Sequence, residues 1–409
     1  MRLSATRRHF FAWTQGLLAL CASGGRTGGE LKVDYYDKLG VTKIINAAGT
    51  YTALTASIMP PSVQAAVAEA AKHPVRLAEL QKAAGEYLAK RLQCEAALVT
   101  AGAASGLTLA TAACITRGQA DAIERIPVDL RGLKNEVIVQ KAHRNDYDHA
   151  LLNCGIRFVE VKTLADYQKA FNAQTAMAHF FNAAEAGSIS REDWVRVAHS
   201  HQVPCLNDAA ADVPPISNLW NYTKMGFDLV TFSGGKGMRG PQNAGLLLGR
   251  KDLIEAAKAN AMPISATIGR GMKVAKEEIV GMVAAVDWFL SQTDEGMAAE
   301  FTARANRIGD YLKSVPGLQS RIAIPPVANR IPHLVLTYDQ ARVKITPTAV
   351  ANELRHGSPC IELNPATGQR NSHGVTGDED AIVVGVWMLR PGEEMIVAQK
   401  LHEVLTNAI

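Results

Sequence analysis

Cysteine is scarce in this chain of 409 residues. Six are present, at positions 21, 94, 114, 154, 205 and 360, and none forms a C-x-x-C pair. Neither a zinc site nor a disulfide framework is expected, and most of these thiols read as small buried hydrophobes. Net charge is also small, +4, with no long basic run, so no nucleic-acid partner is expected. No apolar run reaches the roughly 18 residues a membrane-spanning helix needs. Internal repeats and low-complexity tracts are missing, and no G-x-x-x-x-G-K-[ST] phosphate loop occurs.

What is present is a chain long and apolar enough, at 47% hydrophobic, for more than one compact domain. The expected division is a leader over residues 1–32, a large domain with its N-terminal segment over 33–285, and a small C-terminal domain over 286–409. The leader has Arg7-Arg8, then Phe10-Phe11, an apolar centre at Leu17-Leu18-Ala19-Leu20, and small residues at Ala22-Ser23-Gly24-Gly25. That order matches a twin-arginine export signal and predicts a periplasmic protein, or a cytoplasmic one if the leader does not function. A chance arginine pair in a basic tail is the alternative.

Short apolar strands are predicted at 41–48, 95–100, 136–140, 158–161, 178–182, 203–207, 229–232 and 244–248. Helical patterns lie between them at 60–71, 77–92, 105–115, 147–153 and 192–201. Such alternation predicts an α/β fold with a mostly parallel sheet covered on both faces, and ligands at the carboxyl ends of its strands. One long helix is predicted over 271–292. A smaller α+β region follows, with strands at 332–338 and 381–387 and helices at 347–354 and 393–407.

Candidate chemistry falls at the predicted strand ends. After strand 229–232 comes Ser233-Gly234-Gly235-Lys236-Gly237-Met238-Arg239-Gly240. A lysine in a tight glycine-rich loop can have its pKa lowered and serve as a Schiff-base amine, and Ser233 can donate to a phosphate. The plainer reading is a glycine turn with a solvated lysine. Asp208 ends strand 203–207 and precedes Ala209-Ala210-Ala211. A carboxylate there can pair with a protonated pyridine nitrogen and keep the ring an electron sink, or it can cap a helix. With Lys236 at the next strand end, the cofactor reading is preferred. Gly102-Ala103-Ala104-Ser105 opens a helix whose amides can bind phosphate, although close helix–sheet packing also needs small residues. His143, after strand 136–140, is the candidate to stack on a ring; Tyr147 and Asn145 are its fallbacks, and a surface histidine is the alternative. Arg270, Arg355 and Arg390 are candidates to grip a substrate carboxylate, with Arg270 and Arg355 preferred; a surface arginine is the alternative for each.

These segments together resemble the selenocysteine synthase (SelA)-like family of fold-type-I pyridoxal 5'-phosphate (PLP) enzymes, nearest its D-glucosaminate-6-phosphate ammonia-lyase-like branch. The resemblance rests on residues 40–52 (GVTKIINAAGTYT), 97–114, 136–150 (EVIVQKAHRNDYDHA), 208–215 (DAAADVPP), 233–249, 268–281 and 389–394. It implies an aspartate aminotransferase-like large domain with a smaller C-terminal domain. It also implies PLP on Lys236, the ring nitrogen on Asp208, phosphate at residues 102–105 with Ser233, and a homodimer or larger assembly with interface active sites. Two departures stand out. Residues 53–57 read Ala-Leu-Thr-Ala-Ser where relatives carry a Gly-Gly-Ser stretch, and the chain shows no tRNA-binding N-terminal domain, so a tRNA substrate is not expected. The expected reaction is α-proton abstraction from a small amino acid, leading to elimination of the ammonia-lyase type. Racemisation or transamination on the same scaffold, and an exported PLP-binding protein without turnover, are the alternatives.

Overall fold

The computed structural model describes residues 33–182, 189–326, 328, 330–370 and 379–409. The export leader expected over 1–32 lies outside the described residues. The chain divides into two units, Met1–Lys43 and Ile44–Ile409. In the first, a short helix at Tyr35–Leu39 is capped by the Asp34 carboxylate and closed by Gly40 in a left-handed conformation.

Twelve strands organise the described residues of the second unit. They are β1 (Ile44–Ala47), β2 (Ala96–Thr100), β3 (Glu136–Gln140), β4 (Arg157–Val161), β5 (Thr175–Phe181) and β6 (Cys205–Asp208). The remainder are β7 (Leu229–Ser233), β8 (Gly245–Gly249), β9 (Gln319–Ala323), β10 (His333–Thr337), β11 (Cys360–Leu363) and β12 (Ile382–Gly385). Seven of them build the main sheet in the order β2-β8-β7-β6-β5-β3-β4. Only β8 runs antiparallel to its neighbours; the rest are parallel. The mostly parallel sheet expected from the hydropathy pattern is therefore present.

The strands are continuous apolar runs because both faces are covered. Side chains alternate between two cores. Ala97, Val99, Ile138, Ala178, Cys205, Val230 and Leu248 enter one, and Ala96, Leu98, Val137, Met177, Leu206, Leu229 and Leu247 enter the other. The helix Gly102–Thr116 covers the second face and is buried along nearly its whole length. Since β2 and β7 both run opposite to β8, the carboxyl ends of β2, β3, β5, β6 and β7 share one sheet edge.

A third core forms around the antiparallel sheet β12-β10-β9 and helices Asp294–Tyr311, Pro347–His356 and Glu393–Thr406. Here β1 pairs in parallel with β11, so a strand from the start of the unit joins one from near its end. The helix expected over 271–292 is shorter, Lys276–Leu290, because the Glu278 carboxylate accepts from the Ala275 backbone N–H at 2.6 Å and fixes its start. The strand expected over 381–387 stops at Gly385, and Val386–Met388 turn as a 3₁₀ helix. Among the described residues no helix is long and apolar enough to cross a membrane. The cysteines described, Cys94, Cys114, Cys154, Cys205 and Cys360, are free thiols.

Candidate active site

The lysine loop leaves β7 at Ser233 and is held by its own backbone. Gly234 N–H donates to Ala244 O at 2.8 Å, Gly240 N–H to Gly234 O at 2.8 Å, and Arg239 N–H to Lys236 O at 2.9 Å. Gly237 has to be glycine for lack of room: a Cβ there would stand 2.2 Å from Val213 O. The loop is also tied to residues 52–57, since Ser57 Oγ donates to Gly235 O at 2.6 Å and Gln242 Nε2 to Thr52 O at 3.0 Å. Lys236 is half-buried rather than solvated. Burial lowers the pKa of its amine, opposed by the negative charge of Asp208 and Asp212.

Asp208 is buried at the end of β6. Its Oδ1 accepts from the Ala210 backbone N–H at 3.0 Å, making a turn and not a helix cap; the next helix starts at Asn218. Burial pushes this carboxyl up to about 6, partly countered by the Ala210 N–H and by Lys236. The two loops are locked together: Ala209 N–H donates to Thr231 O at 3.0 Å and Ser233 N–H to Ala210 O at 3.3 Å. Lys236 and Asp208 thus sit on adjacent strand ends that share a hydrogen-bonded seam.

The turn at Ala101-Gly102 opens the helix Gly102–Thr116 with Gly102 at φ +78° and no side-chain cap. Its first-turn amides are available to an anion, reinforced by the helix dipole. Ser105 Oγ donates to Ala101 O at 2.7 Å, so this hydroxyl shapes the turn. Close packing holds as well. A Cβ on Gly245 would meet the backbone of Gly102 and Ala103 at 2.5–2.8 Å, and one on Gly106 would meet Thr231 Oγ1 at 2.4 Å.

His143 ends the 3₁₀ turn Lys141–His143 and is buried, not a surface residue. Its Nδ1 accepts from the Phe181 backbone N–H at 3.3 Å, which places the ring proton on Nε2, and its edge meets Phe180 at 4.5 Å between centroids. Burial, then the Arg191 charge, lower its pKa to about 4, so the imidazole is neutral near pH 7. Asn145 Nδ2 donates to His143 O at 2.9 Å.

A cavity of about 160 Å³ opens onto Lys236, lined also by Thr50, Tyr51, Tyr147, His333, Asn364 and Trp387. Apart from Lys236 and Tyr147, these side chains were not singled out from the sequence; they come from the 48–52 loop, from the start of β10, from the residue after β11 and from the 3₁₀ turn Val386–Met388. Thr50 Oγ1 and Trp387 Nε1 are buried without a partner. His333 Nδ1 lies 2.8 Å from Ile331 O, to which it donates, leaving Nε2 as the ring's unengaged nitrogen. None of the three arginine candidates lines this cavity. Arg355 grips Glu362, with Nε 3.0 Å from both carboxylate oxygens, and Arg390 pairs with Glu393 at 2.6 Å. Arg270 is exposed on the loop before the helix Lys276–Leu290. A larger surface trough, about 590 Å³ and bordered by Pro74, Val75 and Leu80, contains none of the candidate residues.

These residues fit a pyridoxal phosphate. The amine and the buried carboxyl lie on adjacent loops and act on each other's charge, an uncapped helix start covers one face of the same sheet, and two unpartnered buried polar atoms, Thr50 Oγ1 and Trp387 Nε1, belong to residues that line the Lys236 cavity.

Comparison with known proteins agrees. Residues 44–298 match the family model described as SelA, L-seryl-tRNA selenium transferase. A 5'-C-glycyluridine monooxygenase-decarboxylase from a Streptomyces species is 31% identical over 342 residues, 80% of this chain and 83% of that protein. The D-glucosaminate-6-phosphate ammonia lyase of Salmonella typhimurium is 29% identical over 390 residues, 91% of this chain and 98% of that protein. A solved structure of D-glucosaminate-6-phosphate ammonia-lyase superposes with a TM-score of 0.79 at 27% identity, covering 92% of this chain and all of that one. With the sheet order, the lysine loop and the aspartate turn in agreement, this chain belongs to the SelA family of fold-type-I pyridoxal-phosphate enzymes.

Proposed function

We propose that this protein is a PLP-dependent lyase that removes the α-proton of a small amino acid and eliminates a β-substituent, releasing ammonia. The observation that carries the reading is the joined pair of strand ends bearing Lys236 and Asp208. The similarity to a named ammonia lyase over nearly the whole of both chains supports the reaction type.

PLP, when bound, supplies an electron sink for the charge left at Cα. Lys236 would hold the cofactor, assisted at the phosphate by the amides of Gly102, Ala103, Ala104 and Ser105 and by Ser233. The Lys236 amine, lowered in pKa by burial, would be the base that takes the proton from Cα. Asp208 would keep a proton on the cofactor's ring nitrogen, and His143, neutral and buried, would be the residue to flank the ring. Of the two preferred arginines, Arg355 is already engaged with Glu362, which leaves Arg270, exposed outside the cavity and without an ion pair among the described residues, as the one to bind the substrate carboxylate.

A second reading, racemisation, draws on His333, a neutral imidazole lining the same cavity as Lys236 and able to accept a proton at Nε2. The test is direct. Borohydride reduction of the PLP-loaded protein, then peptide mapping, should fix the cofactor to Lys236, and Lys236→Ala should lose both the adduct and α-proton exchange. Fixation at another lysine refutes the assignment. Ammonia and keto acid from serine-like substrates then support the lyase, whereas loss of optical activity alone supports the racemase.

We also infer export through the twin-arginine leader and assembly into a homodimer or higher oligomer. Arg7→Lys with Arg8→Lys should retain the protein in the cytoplasm, and light scattering should give a mass at least twice that of the chain.

A further inference from the structure

A second buried carboxyl lies in the turn that packs against the lysine loop. Asp212 lies in the turn that follows Asp208, its backbone N–H donating to Ala209 O at 3.1 Å. The residue after it, Val213, touches the residue after Lys236: a Cβ on Gly237 would come within 2.2 Å of Val213 O. Asp212 is buried, and its two oxygens differ. Oδ2 accepts from Tyr222 OH at 2.8 Å, while Oδ1 is sealed from solvent and is approached by the neutral Asn182 side chain without a close hydrogen bond. Tyr222 is itself buried in the short helix Asn218–Met225, anchored where Asn218 Nδ2 donates to Asp212 O at 2.7 Å.

A carboxyl so placed is expensive to keep charged unless a cation compensates it. The charged and titratable groups facing it can be named. Lys236 and Asp208 come from the two loops, Arg191 from the helix Arg191–Ser200, and Tyr222 from its own helix, which Arg330 also influences. Arg191 is drawn off by Asn182, whose Oδ1 accepts from its Nε at 2.7 Å, and it also acts on His143. Of the two cations Arg191 acts on Asp212 the more strongly and Lys236 follows, and of the two it is Lys236 that lies on the same seam of loops as Asp212.

We propose that Asp212, clamped by Tyr222, is a positioning residue that holds the positive charge on the Lys236 nitrogen, dividing the work with Asp208: Asp208 serves the ring nitrogen and Asp212 the lysine end. The proposal rests on the reading that Lys236 carries PLP. It differs from a purely structural role, in which Asp212 only anchors the helix Asn218–Met225.

The two roles separate by titration. In the PLP-loaded protein, the pH-dependent absorbance of the cofactor on Lys236 reads the proton on that nitrogen. Asp212→Asn and Asp212→Ser should lower the apparent pKa by about one unit, and Asp212→Glu should restore it. In the PLP-free protein, the pH dependence of reductive methylation at Lys236 should move in the same direction, so the inference is read even without cofactor. Borohydride fixation in the wild type tests the Lys236 assignment separately. Loss of PLP by both neutral variants, with retention by Asp212→Glu, also supports a role for the charge. Neutral variants that titrate with the wild type overturn the proposal, as does equal loss of PLP by all three at unchanged melting temperature.

Discussion

Replacing Asp208 with Asn should make the PLP-free protein more stable at neutral pH while weakening its hold on the cofactor. In the folded chain this carboxyl titrates at about 6 instead of the usual 3.8, chiefly because burial penalises its charge. A difference of roughly two units, at about 1.4 kcal/mol each, corresponds to about 3 kcal/mol of stability. The sign follows from the raised value. Below about pH 4 the carboxyl is protonated in both folded and unfolded chains and costs nothing. As pH rises from about 4 to about 6 the folded state keeps a proton the unfolded state has shed, so stability falls over that window, and above it the buried charge holds the loss constant. Asn is always neutral, and its Oδ1 can still accept from the Ala210 N–H. The advantage of the variant should therefore be near zero around pH 4 and approach about 3 kcal/mol by about pH 8. Urea unfolding of both PLP-free proteins across this range measures it. PLP affinity of the variant should fall by about tenfold or more, because the ring nitrogen loses a charged partner. A variant less stable at pH 8, or a gain independent of pH, would refute the account of Asp208 as a carboxyl kept under strain for its cofactor.

Gly237→Ala should abolish PLP loading while leaving the main sheet folded, since the new methyl cannot avoid Val213 O; cofactor absorbance together with circular dichroism would show it. Thr50→Val should stabilise the ligand-free protein by about 1 kcal/mol by removing a buried hydroxyl without a partner, and should raise KM for the amino acid; a stability loss would place a partner on that hydroxyl. Arg355→Ala removes only an exposed ion pair with Glu362, worth about 0.2–1 kcal/mol, and should leave KM within about twofold, whereas Arg270→Ala should raise it by tenfold or more. The neutral, buried His143 stabilises the fold above its ordinary pKa of 6.5 and loses that contribution as pH falls toward about 4, so His143→Gln should flatten the acid limb of the stability profile.

Much of the large domain could be read from the chain because strands buried on both faces of the sheet are unbroken apolar runs, as in the parallel Val137-Ile138-Val139 and the antiparallel Leu246-Leu247-Leu248. Lys236, Asp208, the Gly102 turn and His143 were legible for a related reason: each follows such a run directly, and the topology brings those ends to one edge. The short strand Cys360–Leu363 was not, since its alternating burial over so few residues leaves no distinctive pattern. Nor were the cavity residues Thr50, His333 and Trp387, which meet Lys236 only through tertiary packing. Asp212 lay within a quoted motif but stood beside a more prominent aspartate. The arginines were drawn from residue type alone, and type does not reveal that Arg355 and Arg390 already have acidic neighbours.

The strand Ile44–Ala47 is stitched to Cys360–Leu363, and the loop that leaves it is pinned further along. Asn364 Nδ2 donates to Ala48 O at 2.9 Å, and a Cβ on Gly385 would reach the same oxygen at 2.3 Å. The wall of the cavity opposite the lysine is thus a single tailored unit drawn from distant parts of the chain. Grafting the 48–52 loop of a relative into this protein would not transfer that relative's selectivity by itself. Positions 364 and 385 would have to travel with it, and a library that varies the three together samples new specificities far more efficiently than one that randomises the loop in isolation.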